Sequence, residues 1–169
     1  YPSSTNITNP TASETKLLIL GSKSQGRVED ISTAAAKTIS TVNGEVKTVP
    51  FSPWKHSSWT AAEYGGSFYL DGNDQITVPT STDFDMSTGA YTVEAWIYPT
   101  NFTGSWISLW DWRADSGTLT PSLWIYSDGT NGRLTWYAGN ENIQGSYSDA
   151  QTIYPNHKWY HVAVSRASN

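Results

Sequence analysis

The residues with the clearest chemical potential are aromatic and acidic ones crowded between positions 91 and 139. Six of the nine tryptophans lie there, among them Trp96, Trp110, Trp112, Trp124 and Trp136, with Tyr126 beside them. Sugars stack their C–H faces on Trp and Tyr rings, and polar neighbours fix the hydroxyls. Glu94, Asp111 and Arg113 supply those neighbours if the rings line a concave sheet. The competing reading is packing, which predicts at least half of these rings buried in a core. A second constellation is Asp71-Gly72-Asn73-Asp74. Asp71, Asn73 and Asp74 put three oxygen-bearing side chains on one turn, a donor set that suits calcium. The plain alternative is an Asx turn closed by a glycine at positive φ.

Catalytic constellations are weaker. A retaining glycosidase needs two carboxyls about 5–5.5 Å apart. The pairs Asp71/Asp74, Asp83/Asp85 and Asp111/Asp115 fall in or beside expected turns. Glu94 has Thr92 and Trp96, not acids, at spacing two. No G-x-S-x-G nucleophile elbow occurs. His157 and His161 are four apart, which brings two ligands to one metal on a helix but not on the strand expected here. The absence of cysteine removes disulfides, thiolate metal sites and a cysteine nucleophile. The expectation is a protein that is not an enzyme.

The elements that carry these residues read as antiparallel strands. Short aromatic and β-branched runs alternate with Pro99-Thr100-Asn101, Asp115-Ser116-Gly117 and the 128–132 cluster of Asp, Gly and Asn. Over 91–99, alternation puts Tyr91, Val93, Ala95 and Ile97 on one face and Thr92, Glu94, Trp96 and Tyr98 on the other. Further strands are expected at 17–20, 107–112, 122–126, 133–138 and 158–165, and two short ones within 67–79. Residues 140–155 read as a long polar loop or irregular strand. Asn43-Gly44 predicts a type I′ turn joining 38–42 to 45–49 as a hairpin. Residues 1–16 read as a linker or extended arm, and 50–66, with two prolines and four large aromatics, as a packed surface loop.

Composition agrees. Charged residues are 15% and hydrophobic residues 37%, with 10 Tyr and 9 Trp, a mix suited to an extracellular all-β domain. The net charge of −5 and the lack of a basic block argue against nucleic acid. No apolar run approaches the ~20 residues of a membrane helix, so membrane insertion is not expected. Asn6-Ile7-Thr8 and Asn101-Phe102-Thr103 match the glycosylation sequon, which matters only in a eukaryotic secretory host.

Three segments together resemble the laminin-G-like, concanavalin-A-like jelly rolls. They are SFYLDGNDQITVP at 67–79, YTVEAWIYP at 91–99 and HKWYHVAVSR at 157–166. The resemblance implies an all-β, antiparallel two-sheet jelly-roll sandwich over 17–169, with a structural role for His161 and a rim calcium in many members. The glucanase motif of that fold, E-x-D-x-x-E, does not occur. The upstream segment is similar in style to those preceding such domains in marine bacteriophage virion proteins. The family's hairpin after the W-Y-H strand has no counterpart before Asn169, so the expectation is a piece of a longer chain, or a sheet completed by a neighbouring chain. These readings imply a non-catalytic structural or adhesion domain of an extracellular or virion protein. Its expected partners are other copies or subunits of a larger assembly and a surface glycan. The alternative is a carbohydrate-binding module of a secreted bacterial enzyme.

Overall fold

The computed structural model describes residues 14–21, 28–30, 32, 36–39, 41–44, 46–49, 53, 66–86, 89–102, 105–113, 121–138, 141–144, 152–155 and 157–167. Most of the expected N-terminal arm and of the 50–66 loop, the first sequon and the 115–117 turn lie outside them. The described residues are all-β, with antiparallel pairing throughout, one 3₁₀ turn at Thr82–Phe84 and no α-helix. The chain divides into two compact units, Tyr1–Asp85 and Met86–Asn169.

In the first unit, β1 (Ile19–Gly21) pairs with β2 (Val28–Asp30). Asp30 then ties three separated stretches together. Its Oδ1 accepts the N–H of Leu18 at 3.0 Å and of Ser32 at 2.9 Å, and its Oδ2 accepts that of Lys37 at 2.6 Å. Burial pushes the Asp30 carboxyl up, but these N–H groups and the Ser32 hydroxyl outweigh it and leave the carboxyl below its ordinary value. Lys37 reaches on to Asp83 at 2.7 Å.

The expected 38–49 hairpin does not form. β3 (Thr41–Asn43) pairs with β6 (Gln75–Thr77), and β4 (Lys47–Val49) pairs with β5 (Ser67–Tyr69). Residues 41–49 and 67–77 thus run as one antiparallel ladder, interrupted where Gly44 faces the 71–74 turn. The physical reason lies in the dihedrals. A type I′ turn needs two consecutive residues at positive φ. Gly44 has φ +77°, whereas Asn43 is not in that region. A methyl built on Gly44 would overlap the Asp74 carboxylate, so the glycine serves a close cross-strand approach rather than a local turn.

The second unit is a two-layer sandwich. One layer pairs β7 (Tyr91–Ile97) with β12 (Tyr160–Arg166). The other has β8 (Trp106–Asp111), β9 (Ser122–Ser127), β10 (Gly132–Ala138) and β11 (Glu141–Gln144) in the order β11-β10-β9-β8. The alternation read in β7 holds: Val93 is buried while Thr92, Glu94 and Trp96 are exposed. Between the layers, Ile125, Ile153 and Val162 pack against Ala95, Ile97, Ile107, Leu109, Leu134 and Tyr160. Each fully buried aliphatic side chain contributes about 1.5–3 kcal/mol. Ile153 reaches this core through a reciprocal backbone bridge to Gly132, at 2.7 and 2.8 Å.

Candidate functional site: an aromatic and guanidinium face

The β9–β10 turn sets the register of the site. Asp128 Oδ1 accepts the N–H groups of Thr130 at 2.8 Å and Asn131 at 2.7 Å, and Ser127 Oγ accepts that of Gly129 at 3.0 Å. Gly129, at φ +93°, supplies the left-handed position. This turn fixes Arg133 opposite Tyr126 and Thr135 opposite Trp124. β8 adds Trp106 opposite Tyr126 and Ser108 opposite Trp124. Opposed residues share a face, and the inward Leu123 and Ile125 alternate with these, so the set lies on the face turned away from the core.

A β-bulge between Ser108 and Trp110 then reverses the alternation of β8. Trp110 falls opposite Leu123 on the core side, and Asp111 falls opposite Ser122 on the outer face. Arg113 follows on that outer face. Its Nε donates to Asp111 Oδ1 at 2.9 Å and its Nη2 to Asp111 Oδ2 at 2.7 Å. The fork holds the Asp111 carboxyl below its ordinary value, against burial that pushes it up. The Arg113 guanidinium also sits 4.8 Å from the Trp124 ring, and that of Arg133 sits 5.0 Å from the Tyr126 ring. Trp106 leans across the cluster, its ring 4.7 Å from Tyr126, 6.2 Å from Tyr137 and 6.5 Å from Trp124. Such pairs add about 0.5–1.5 kcal/mol each beyond area burial, which fixes the rings. Trp106 still keeps 46% of its surface exposed. Beneath the rings, Ser122 and Thr135 are fully buried, and their hydroxyls find no hydrogen-bond partner among the described residues.

The sequence-derived residues therefore separate. Trp124, Asp111 and Arg113 come together with Tyr126 on this face. Trp136 is 4% exposed and packs 6.1 Å from the Tyr91 ring, so it belongs to the interior. Trp110 and, by alternation, Trp112 lie on the core-facing side and are half-buried. Glu94 and Trp96 lie on the outer face of the other layer, where Glu94 meets His161 at 3.2 Å and the Trp96 ring lies 5.0 Å from the imidazole. Of the six rings first considered, Trp136 alone is fully buried. The expectation that half are buried overstates their burial, because alternation sends Trp96, Trp124 and Tyr126 to outer faces. Trp106, Tyr137 and Arg133 were not singled out by sequence. Trp106 carried a usable signal, its spacing of two from Ser108 at the start of a strand.

The 71–74 loop, in the first unit, is folded as an Asx turn. Asp71 Oδ1 accepts the Asn73 N–H at 2.8 Å, and Asp74 Oδ2 accepts the Asp71 N–H at 3.0 Å. No group of three or more His, Asp or Glu side chains fit to hold a metal occurs among the described residues. Each carboxylate oxygen keeps a second lone pair. The donor set fits a loosely held, oxygen-ligated cation such as calcium, with most of the coordination left to water.

Comparison with curated proteins and with solved structures gives no match. The family comparison does: Laminin_G_3, described as the concanavalin A-like lectin/glucanases superfamily, matches residues 70–169. That span holds the end of the first unit and the whole of the second, including every residue of the aromatic face. The antiparallel two-layer arrangement is that expected of this jelly-roll fold. The chain belongs to the concanavalin A-like lectin/glucanases superfamily.

Proposed function

We propose that this chain is a non-catalytic adhesion domain that holds a glycan on the outer face of β8, β9 and β10. The setting we propose is a larger extracellular or virion assembly, such as a tail, fibre or capsid-decoration protein. The observation that carries the reading is Trp106. A large ring, 46% exposed and braced by Tyr126, Tyr137 and Trp124, is a poor use of an aromatic for packing and a good platform for a sugar ring. Sidedness supports a binding rather than a hydrolytic role. Glu94 and Asp111 lie on opposite outer faces and are each taken up by a basic neighbour, so they do not form a catalytic carboxyl pair. A glycan array probed with the wild-type protein and with Trp106→Ala tests the reading: binding is expected for the first and lost in the second. The reading also keeps a calcium ion at Asp71, Asn73 and Asp74. Millimolar calcium is then expected to raise the melting temperature, and Asp71→Asn to remove that rise; an unchanged melt with calcium would leave the loop an Asx turn alone.

A further inference from the structure

We propose that Trp106 is also a lid, and that binding lifts it off a polar floor made by the Ser122 and Thr135 hydroxyls. The proposal rests on the glycan-binding reading above and adds how that site opens and what lies under it. Ser122 and Thr135 are fully buried, and among the described residues neither hydroxyl has a hydrogen-bond partner. A stranded buried hydroxyl is destabilising, and native structures hold few of them. Two of them, diagonal to each other across the β9–β10 pair, point to a partner that arrives with the ligand.

The register shows what closes over them. Opposed residues share a face, so Thr135 stands beside Trp124, and Ser122 stands between Tyr137 and Asp111. Trp106 starts two strands away from Tyr137, yet its ring comes within 6.2 Å of the Tyr137 ring and 6.5 Å of the Trp124 ring. Rings that meet over that span lean across the sheet, above the small side chains between them. Trp106 is the ring that can leave. It is 46% exposed and opens β8, and just before it the Ser127 N–H donates to the Ser105 carbonyl at 2.8 Å. The strand therefore stays in place while the side chain changes rotamer. Its contacts with Tyr126, Tyr137 and Trp124 hold the lid shut in the free protein. Once lifted, the indole still offers its face to a sugar, while hydroxyls of that sugar reach Ser122 and Thr135, which can donate or accept. A site built this way gives up stability for function.

The chain has no cysteine, so a single introduced thiol reports on opening. Ser122→Cys is labelled with iodoacetamide in the native protein, beside Leu123→Cys, which is equally buried but on the core face. Ser122→Cys should label at least about tenfold faster, because a local opening exposes it while Leu123→Cys waits for the sandwich to unfold. Adding Trp106→Ala should speed Ser122→Cys by about tenfold or more. It should speed Leu123→Cys only as far as it lowers stability, which separates a lifted lid from a weakened fold. Thr135→Cys repeats the measurement at the second hydroxyl. Equal rates for Ser122→Cys and Leu123→Cys, or a Ser122→Cys rate indifferent to Trp106→Ala, would overturn the lid. The floor is tested with Thr135→Val on the glycan array. Binding should fall about threefold to tenfold, the loss of one hydrogen bond, while the urea midpoint rises. Undiminished binding would overturn the floor. A wild-type protein that binds no glycan would overturn the glycan reading and the floor with it, and the labelling, which uses no ligand, decides the lid by itself.

Discussion

Replacing Gly44 with alanine tests the interrupted ladder of the first unit. Gly44 lies at φ +77°, and a methyl there would overlap the Asp74 carboxylate. The left-handed backbone costs a non-glycine residue about 1–2 kcal/mol. Displacing Asp74 also breaks the bond that its Oδ2 accepts from the Asp71 N–H, a charged acceptor worth about 1.5–3 kcal/mol. The expected loss is therefore about 2.5–5 kcal/mol. Gly72 provides the control: it has φ +102° but nothing among the described residues within 4 Å of an added methyl. Gly72→Ala should cost only the backbone share, and the effect of alanine on the unfolded chain is common to both variants. Urea denaturation followed by tryptophan fluorescence gives both values. Repeating Gly44→Ala in an Asp74→Ala background should reduce its cost to the backbone share. Equal losses for Gly44→Ala and Gly72→Ala, within about 0.5 kcal/mol, the limit of such additivity, would refute the cross-strand account.

Other consequences follow from buried polar groups. Asp30→Asn should destabilise the first unit by about 1.5–3 kcal/mol, because the new amide cannot accept from all of the Leu18, Ser32 and Lys37 N–H groups. The Asp30 carboxyl is lowered in the folded state, so its contribution is present above the ordinary value of 3.8 and is lost as pH falls through the folded value. An acid titration should show that loss in the wild-type protein and less of it in Asp30→Asn. Thr135→Val keeps the shape and removes a buried hydroxyl without a partner, so denaturation should show a gain of about 1 kcal/mol. A loss would mean that the hydroxyl has a bonding role.

Local pattern made much of this molecule readable. Tyr91, Val93, Ala95 and Ile97 alternate with polar residues, and their strand lies where alternation puts it. The Asp128-Gly129-Thr130-Asn131 turn marks the β9–β10 hairpin, and Trp124 and Tyr126 alternate with inward Leu123 and Ile125. Long-range and irregular features were not readable. Asn43-Gly44 has the local signature of a hairpin, but pairing with 67–77 and the approach of Asp74 decide its role. In β8, simple alternation would put Trp106 and Trp110 on one face. The bulge after Ser108 sends Trp110 to the core side and brings Asp111 opposite Ser122 on the outer face that carries Trp124, and a one-residue bulge leaves no mark in hydrophobic periodicity. Trp96 and Glu94 resembled members of one site with Trp124 because sequence does not say which layer a strand joins. Pairing of β7 with β12 places them on the opposite side of the sandwich.

The central claim is that Trp106 is a sugar platform rather than a packing residue. The most direct measurement is glycan-array binding by the wild-type protein beside Trp106→Ala, with the folded state of each checked by its urea midpoint. The account predicts glycan binding by the wild type and its loss in Trp106→Ala, while the variant keeps a cooperative transition. Binding that survives the substitution, or a wild-type protein that binds no glycan, would contradict it.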